Sequence, residues 1–233
     1  MSIYNKNFYL DRDTRTNYAA EKILSMVFER YKVDSVVDFG CGVGTWLKNA
    51  EKLGATNTTG LEGDWLDQKM FVANGELLRK DFEKPVNLQR QYDLAISLEV
   101  AEHINETNID QFIDGICSSS DVILFSAAVA GQGGKGHVNE QMQSYWVTMF
   151  NDRGYHCIDI IRKSMWGDSN IDVWYKQNVF IFSKKTEDKN FSSDMPLDVI
   201  HPELFKLYSR PGVLLSVKTA LSLPKVVANK ILK

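Results

Sequence analysis

A chain of 233 residues, 44% hydrophobic and 24% charged, is large enough for one α/β domain with a small extension and has the make-up of a water-soluble globule. Its net charge of -3 offers no overall attraction for nucleic acid, and three scattered cysteines (Cys41, Cys117, Cys157) supply neither a disulfide framework nor a Cys-x-x-Cys metal pair. That cysteine usage suits a reducing cytosol. The charge is unevenly spread: Leu204 to Lys233 carries +6 with no acid, so the remainder carries -9. Residues Met1 to Tyr9 lack a signal-peptide core. The longest apolar stretch, Val122 to Ala130, is broken by Ser126 and falls short of the ~20 residues that span a bilayer. A cytoplasmic body is expected.

In chain order, Ile23, Leu24, Val27, Phe28 and Tyr31 fall at helical spacing and predict an amphipathic helix over Thr16 to Tyr31. Ser35 to Phe39 reads as a short buried strand ended by glycines, and Thr45 to Leu53 as a helix stopped at Gly54. Weak strands follow at Thr58 to Leu61 and Leu77 to Arg79, then a clearer one at Tyr92 to Ser97. Ile109 to Cys117 reads as a helix, and Val122 to Phe125 is the strongest strand of the sequence. Met142, Tyr145, Trp146, Met149 and Phe150 mark one face of a longer helix that ends at Gly154. His156 to Ile161 and Asn178 to Phe182 read as two strands with no long helix between them. Early strands separated by helices imply parallel pairing, and the last pair an antiparallel hairpin at the edge. The expected fold is α/β: a doubly wound, mostly parallel, seven-stranded sheet with one antiparallel edge strand. It fills residues 1–185, and a polar linker with a basic, helical C-terminal tail fills 186–233.

The first strand runs into Asp38-Phe39-Gly40-Cys41-Gly42-Val43-Gly44. A strand, glycines and then a helix bring bare backbone amides close to a ligand at a helix N-terminus. The spacing is Gly-x-Gly-x-Gly, not the Gly-x-Gly-x-x-Gly of dinucleotide sites. An acid before the glycines would not help a pyrophosphate, but it suits the ammonium of an amino-acid moiety. The pattern favours S-adenosylmethionine over NAD.

Val36 to Thr45 resembles motif I of class I S-adenosylmethionine-dependent methyltransferases, and the resemblance extends over about Tyr18 to Lys185. It implies the Rossmann-like methyltransferase fold and a cofactor site of Asp38, Gly40, Cys41 and Gly42. Glu62, beside Gly63, matches the acid that binds the ribose hydroxyls. Asp81-Phe82 matches the acid and ring at the adenine, and Leu98-Glu99 the wall facing the methionine moiety. Trp65, beside the ribose acid, is a candidate to cover the adenine.

An aliphatic hydroxyl accepts a methyl group only as its proton leaves, so a base or a metal must assist. Glu99-Val100-Ala101-Glu102-His103 offers both, since a helix starting at Glu99 would stack Glu102 and His103 above it. Two carboxylates and an imidazole suit Mn²⁺ or Zn²⁺ as readily as Mg²⁺. The Glu-x-x-Glu-His pattern resembles the metal motif of ubiquinone-pathway O-methyltransferases. It also resembles that of the small-RNA 2′-O-methyltransferases, which add a histidine after the fifth strand, about where His137 stands. The candidate metal set is Glu99, Glu102, His103 and His137; the candidate catalytic residues are Glu102, His103 and His137. Two alternatives are a Glu-His pair that only shapes the acceptor pocket and a histidine base without metal. Arg12 and Arg15 are candidates to meet an anionic group or simply a solvated surface.

The core together with Gly136-His137-Val138-Asn139-Glu140-Gln141 and an aromatic helix ending in Arg153-Gly154-Tyr155 resembles small methyltransferases of bacterial surface-polysaccharide assembly. The resemblance implies O-methylation of a sugar hydroxyl on a lipid-linked or nucleotide-linked glycan. RNA 2′-O-methylation and a phenolic or quinone acceptor are the alternatives, the first disfavoured by the acidic body. A cofactor-binding module without turnover is a different class, opposed by the Glu99, Glu102, His103 and His137 set. The tail interleaves six cations with apolar residues. It fits either an anionic membrane surface, which would make the protein peripheral on the inner face, or packing on the body or a second subunit.

Overall fold

The computed structural model describes residues 6–67, 71–189, 191 and 193–209. The chain divides into two compact units, one ending at Val199 and the other beginning at Ile200. Strands β1 (Ser35–Phe39), β2 (Asn57–Glu62), β3 (Glu76–Arg79), β4 (Leu94–Leu98), β5 (Val122–Ser126), β6 (His156–Ile158) and β7 (Phe180–Ser183) form one seven-stranded sheet in the order β3-β2-β1-β4-β5-β7-β6. β1 to β5 pair in parallel, and β7 runs antiparallel to both β5 and β6. The doubly wound sheet with a reversed strand toward one edge is as the sequence predicts.

Period-two alternation along the strands explains why both faces are covered. Val36, Ile96, Leu124 and Ile181 join one core, and their neighbours Val37, Ala95, Ile123 and Phe182 join the other. The first core is closed by Ile23, Leu24 and Val27 of helix α1 (Lys6–Arg30) and Leu47 of α2 (Thr45–Lys52). The second is closed by Phe112 and Ile116 of α3 (Ile109–Cys117) and by Trp146 and Phe150 of α4 (Gln143–Asn151). Phe150 stacks on Phe182 with ring centroids 4.1 Å apart. Each such side chain contributes about 1.5–3 kcal/mol by leaving water.

Three local expectations shift. Helix α1 starts ten residues before Thr16, since Lys6 to Arg15 carries its apolar residues consecutively (Phe8, Tyr9, Leu10) and shows no helical period. Strand β6 ends at Ile158 because two short helices, α5 (Ile161–Met165) and α6 (Val173–Asn178), fill the connection to β7. The compact unit also runs to Val199 instead of stopping at Lys185, because the segment read as a linker is strapped to the body. Asp188 accepts hydrogen bonds from Arg30 Nε (3.0 Å) and Tyr31 Oη (2.7 Å). Arg162, fully buried, donates to the carbonyls of Pro196 and Leu197. Ser144 N donates to Asp198 at 2.8 Å. In the second unit Pro202–Ser209 forms helix α7; of the six tail cations only Lys206 lies within the described residues. No described helix is long and apolar enough to cross a membrane.

Burial pushes the Asp188 pKa up, but hydrogen bonds from Ser183, Arg30 and Tyr31 outweigh it and hold the carboxyl below its ordinary range. A depressed folded pKa contributes stability that is present above the unfolded value of ~3.9 and is lost as pH falls through the folded value. Asp188→Ala is expected to reduce unfolding free energy by about 1–3 kcal/mol at neutral pH, measured by chemical denaturation. The wild-type advantage over the variant should shrink in acid. Equal midpoints at both pH values would mean that the strap adds no stability.

Candidate active site

Strand order reverses between β1 and β4, and the connections leaving their carboxyl ends separate there, as in other doubly wound sheets. The first of these connections is the glycine loop. Gly40 (φ 82) and Gly44 (φ 87) adopt left-handed backbone, and a Cβ on Gly40 would lie 2.4 Å from Val100 Cγ2. Only glycine lets the two connections approach so closely. Gly44 leads into α2 with no side-chain cap, so the helix begins with amides available to a ligand.

The expected cofactor-binding residues, apart from Asp38, Gly63 and Asp81, line one open cleft of about 450 Å³, which His103 also enters. Glu62 is the loop's organiser: its carboxylate accepts from Gly42 N (2.8 Å), Gly63 N (2.8 Å) and Trp65 Nε1 (2.9 Å). Asp38 sits behind the loop, 2% exposed, with one carboxylate oxygen unpartnered. Burial and then the charge of Glu62 push its pKa well up. Asp81 is placed outside the cleft lining, exposed, paired with Lys84 at 3.0 Å and accepting from Glu83 N; Lys84 holds its pKa down. Its neighbour Phe82 does line the cleft, braced by Phe39 and Phe112.

The helix expected from Glu99 does not form. Glu99 takes a left-handed conformation (φ 56), and a single 3₁₀ turn covers Ala101–His103, so the two glutamates do not stack on one helical face. The Glu99 amide donates to Ser126, and its carboxylate accepts from Gln132 Nε2 (3.2 Å) and Asn178 Nδ2 (3.4 Å). Burial raises its pKa against these bonds. Glu102 is 1% exposed with an unpartnered Oε2. One ligand atom each from Glu102, His103 and His137 lies within 4.8 Å of the others; Glu99 stands outside this group. Burial, then Glu99, pushes the Glu102 pKa well up.

His137 is delivered by the glycine-rich loop, because Val138 N and Asn139 N donate to the Glu102 carbonyl (2.8 and 3.0 Å). A Cβ on Gly134 would lie 2.2 Å from the His137 ring, which crosses His103 edge-on with centroids 4.8 Å apart. His103 Nδ1 meets the Gly136 carbonyl at 3.1 Å, and His137 Nδ1 meets Glu140 at 2.8 Å. A carbonyl can only accept, so His103 carries its proton on Nδ1 and leaves the Nε2 lone pair available. The Glu140 carboxylate sets the same tautomer in His137. Burial lowers the His103 pKa, opposed by the Gly136 carbonyl and aided by His137.

Sequence reasoning missed Glu140, Gln132 and Asn178. Glu140, three residues after His137, is the one that local spacing could have flagged. Arg15 pairs with Asp172 at 3.2 Å; the Arg12 side chain lies outside the described residues.

An unpartnered buried carboxylate, uncapped amides and an acid on the loop fit the ammonium, carboxylate and ribose of S-adenosylmethionine. Fold and cleft together define a class I S-adenosylmethionine-dependent methyltransferase. The chain belongs to the methyltransferase domain family, which matches residues 11–164. Among solved structures, it is similar to Streptomyces venezuelae DesVI (15% identity, 76% of this chain and 95% of that one, TM-score 0.55). It is similar also to the methyltransferase domain of bacterial CtHen1 (16%, 72% and 98%, TM-score 0.52). A third is magnesium protoporphyrin IX methyltransferase from Synechocystis PCC 6803 with bound SAM (18%, 78% and 85%, TM-score 0.50). These likenesses are of fold. No curated protein matches the chain.

An ammonium placed against the unpartnered Asp38 oxygen would favour the carboxylate, so cofactor binding there should release a proton, and affinity should rise with pH until free Asp38 is ionised. Titration calorimetry of S-adenosylhomocysteine in buffers of different ionisation enthalpy reads this directly; a buffer-independent heat would refute it. Glu62→Ala should weaken binding by about 1–3 kcal/mol, the worth of a charged hydrogen bond.

Proposed function

We propose that the protein is an O-methyltransferase acting on a sugar hydroxyl of a bacterial surface glycan or its precursor. The observation that carries this reading is the convergence of Glu102, His103 and His137 beside the cofactor cleft. When bound, S-adenosylmethionine supplies a sulfonium methyl; transfer forms the acceptor O–C bond, leaves the C–S pair on sulfur and frees the hydroxyl proton. A group on this chain must take that proton. His103 and His137, each with Nδ1 engaged and Nε2 available, are built for it. The sugar assignment rests on the sequence resemblance described above.

The same residues fit a divalent ion. A buried Glu102 carboxylate, whose Oε1 lies 4.0 Å from His137 Nε2, and two imidazoles, each fixed through its Nδ1, make a mixed donor set for Mn²⁺, Zn²⁺ or Mg²⁺. Glu102, His103 and His137 would hold it, and it would lower the pKa of a bound hydroxyl. The second reading, RNA 2′-O-methylation, draws on His137 joining Glu102 and His103, but the cleft offers no cation to a phosphate backbone among its described lining residues.

Chelator separates the mechanisms. If a metal is required, chelator should abolish turnover while leaving cofactor affinity unchanged, and Mn²⁺ should restore activity. If a histidine is the base, chelator should have no effect, and His137→Ala or His103→Ala should lower the rate about 10²–10⁴-fold. Full activity of both variants in chelator would exclude either role.

Placement at the inner membrane face follows from the tail's charge and is part of the same proposal. Replacing Arg210, Lys218, Lys225, Lys230 and Lys233 with glutamine should reduce sedimentation with phosphatidylserine vesicles and leave cofactor binding intact. Added salt should do the same to the wild type. Salt-insensitive sedimentation of the neutralised chain would dismiss the membrane role.

A further inference from the structure

The cleft holds more than a cofactor needs. Five aromatic side chains line it: Trp46, Trp65, Phe82, Trp174 and Tyr175. An adenine has two faces, and Trp65 and Phe82, flanking the expected ribose acid and adenine strand ends, suffice to cover them. The surplus comes mainly from α6, in the connection between β6 and β7. Trp46 packs edge-on to Tyr175 with centroids 5.4 Å apart, which fixes that ring as support. Trp174 is half-buried, lines the cleft and follows Asp172, which lines it too.

This wall is held rigidly. Arg15 of α1 bonds Asp172 (3.2 Å) and the Ser169 carbonyl (3.1 Å), and Tyr18 bonds Asp168 at 3.0 Å. The buried Lys176 amine donates to the Asp168 carbonyl. A platform tied to the long first helix at three residues loses little freedom when a ligand settles on it.

Charge gives the second constraint. Glu62, Glu99 and Asp172 line the cleft, and no Lys or Arg does so among the described residues. A phosphate or carboxylate on the acceptor would find no cationic partner on this lining. A flat indole beside a carboxylate that still has lone pairs to offer matches a ring with an apolar C–H face and hydroxyls at its rim. The buried acid and histidines suit an unactivated aliphatic hydroxyl better than a phenol, which ionises more readily.

We propose that Trp174 and Asp172 form the acceptor subsite, and that it takes an uncharged pyranose ring stacked on the indole with a hydroxyl donating to Asp172. Any phosphate linking that sugar to a carrier lies outside the cleft. The inference rests on the O-methyltransferase reading and narrows it to neutral rings.

The test uses the full chain loaded with S-adenosylhomocysteine and saturation-transfer NMR. The probes are methyl glycosides of gluco, galacto, manno and rhamno configuration and the matching uronic acids. At least one neutral glycoside is expected to show transfer to its ring protons, with its uronic acid bound at least about tenfold more weakly. Trp174→Ala should abolish the signal while cofactor affinity stays within about twofold; Trp174→Phe should restore most of it. With labelled cofactor, Trp174→Ala should raise KM for the bound glycoside about tenfold and leave kcat nearly unchanged. Equal binding of uronic acids, an unaffected Trp174→Ala, or no glycoside binding would each overturn the subsite. Methyl transfer to a glycoside with Trp174→Ala unaffected would overturn the subsite alone and leave sugar O-methylation standing. Transfer confined to a catechol or to an RNA 2′-hydroxyl would overturn both.

Discussion

Between β1 and β4 the sheet begins to wind the opposite way, and the connections leaving those strands run to opposite faces. That divergence opens the crevice in which everything else is arranged. Each neighbouring strand delivers one contribution at its carboxyl end: glycines from β1, an acid from β2, an aromatic ring from β3 and the Glu99 to His103 turn from β4. The divergence also sets the demand on Gly40, which must pass Val100 with no room for a side chain. The site is therefore a consequence of winding order before it is a consequence of any one residue.

Around this crevice the chain places carboxylates largely withdrawn from water. Asp38, Glu99 and Glu102 all have raised pKa values, with burial the largest cause in each. Two of them carry oxygens with no partner, which a fold selected for stability alone would avoid. Such groups are tolerated where a ligand completes them. The unpartnered oxygens belong to Asp38, behind the glycine loop, and to Glu102, beside His103 and His137.

The sheet was legible because its strands alternate between two cores: Val36 against Val37 and Ile123 against Leu124 are visible as apolar runs. The cofactor loop was legible because glycine spacing and a preceding acid are local features. The acceptor side was not, for a geometric reason. Glu99 was expected to share a helical face with Glu102, but its left-handed backbone, its amide bonded to Ser126, breaks the helix that would have stacked them. No propensity marks a glutamate for that conformation. The partners of Glu99, Gln132 and Asn178, stand 33 and 79 residues away. The strap over 186–199 was hidden likewise: its composition is that of a linker, and its ties to the body (Asp188 on Arg30 and Tyr31, the Pro196 and Leu197 carbonyls on Arg162, Asp198 on Ser144) all reach far along the chain.

The indole of Trp65 on Glu62 bears on the loop itself. Glu62 accepts from the amides of Gly42 and Gly63 and from the ring N–H of Trp65. One carboxylate at the end of β2 thus ties down the turn that follows β1, so the spacing of the two strand ends is set by a side chain as well as by the sheet. A change at this acid would disturb the path of the glycine backbone and not one contact alone.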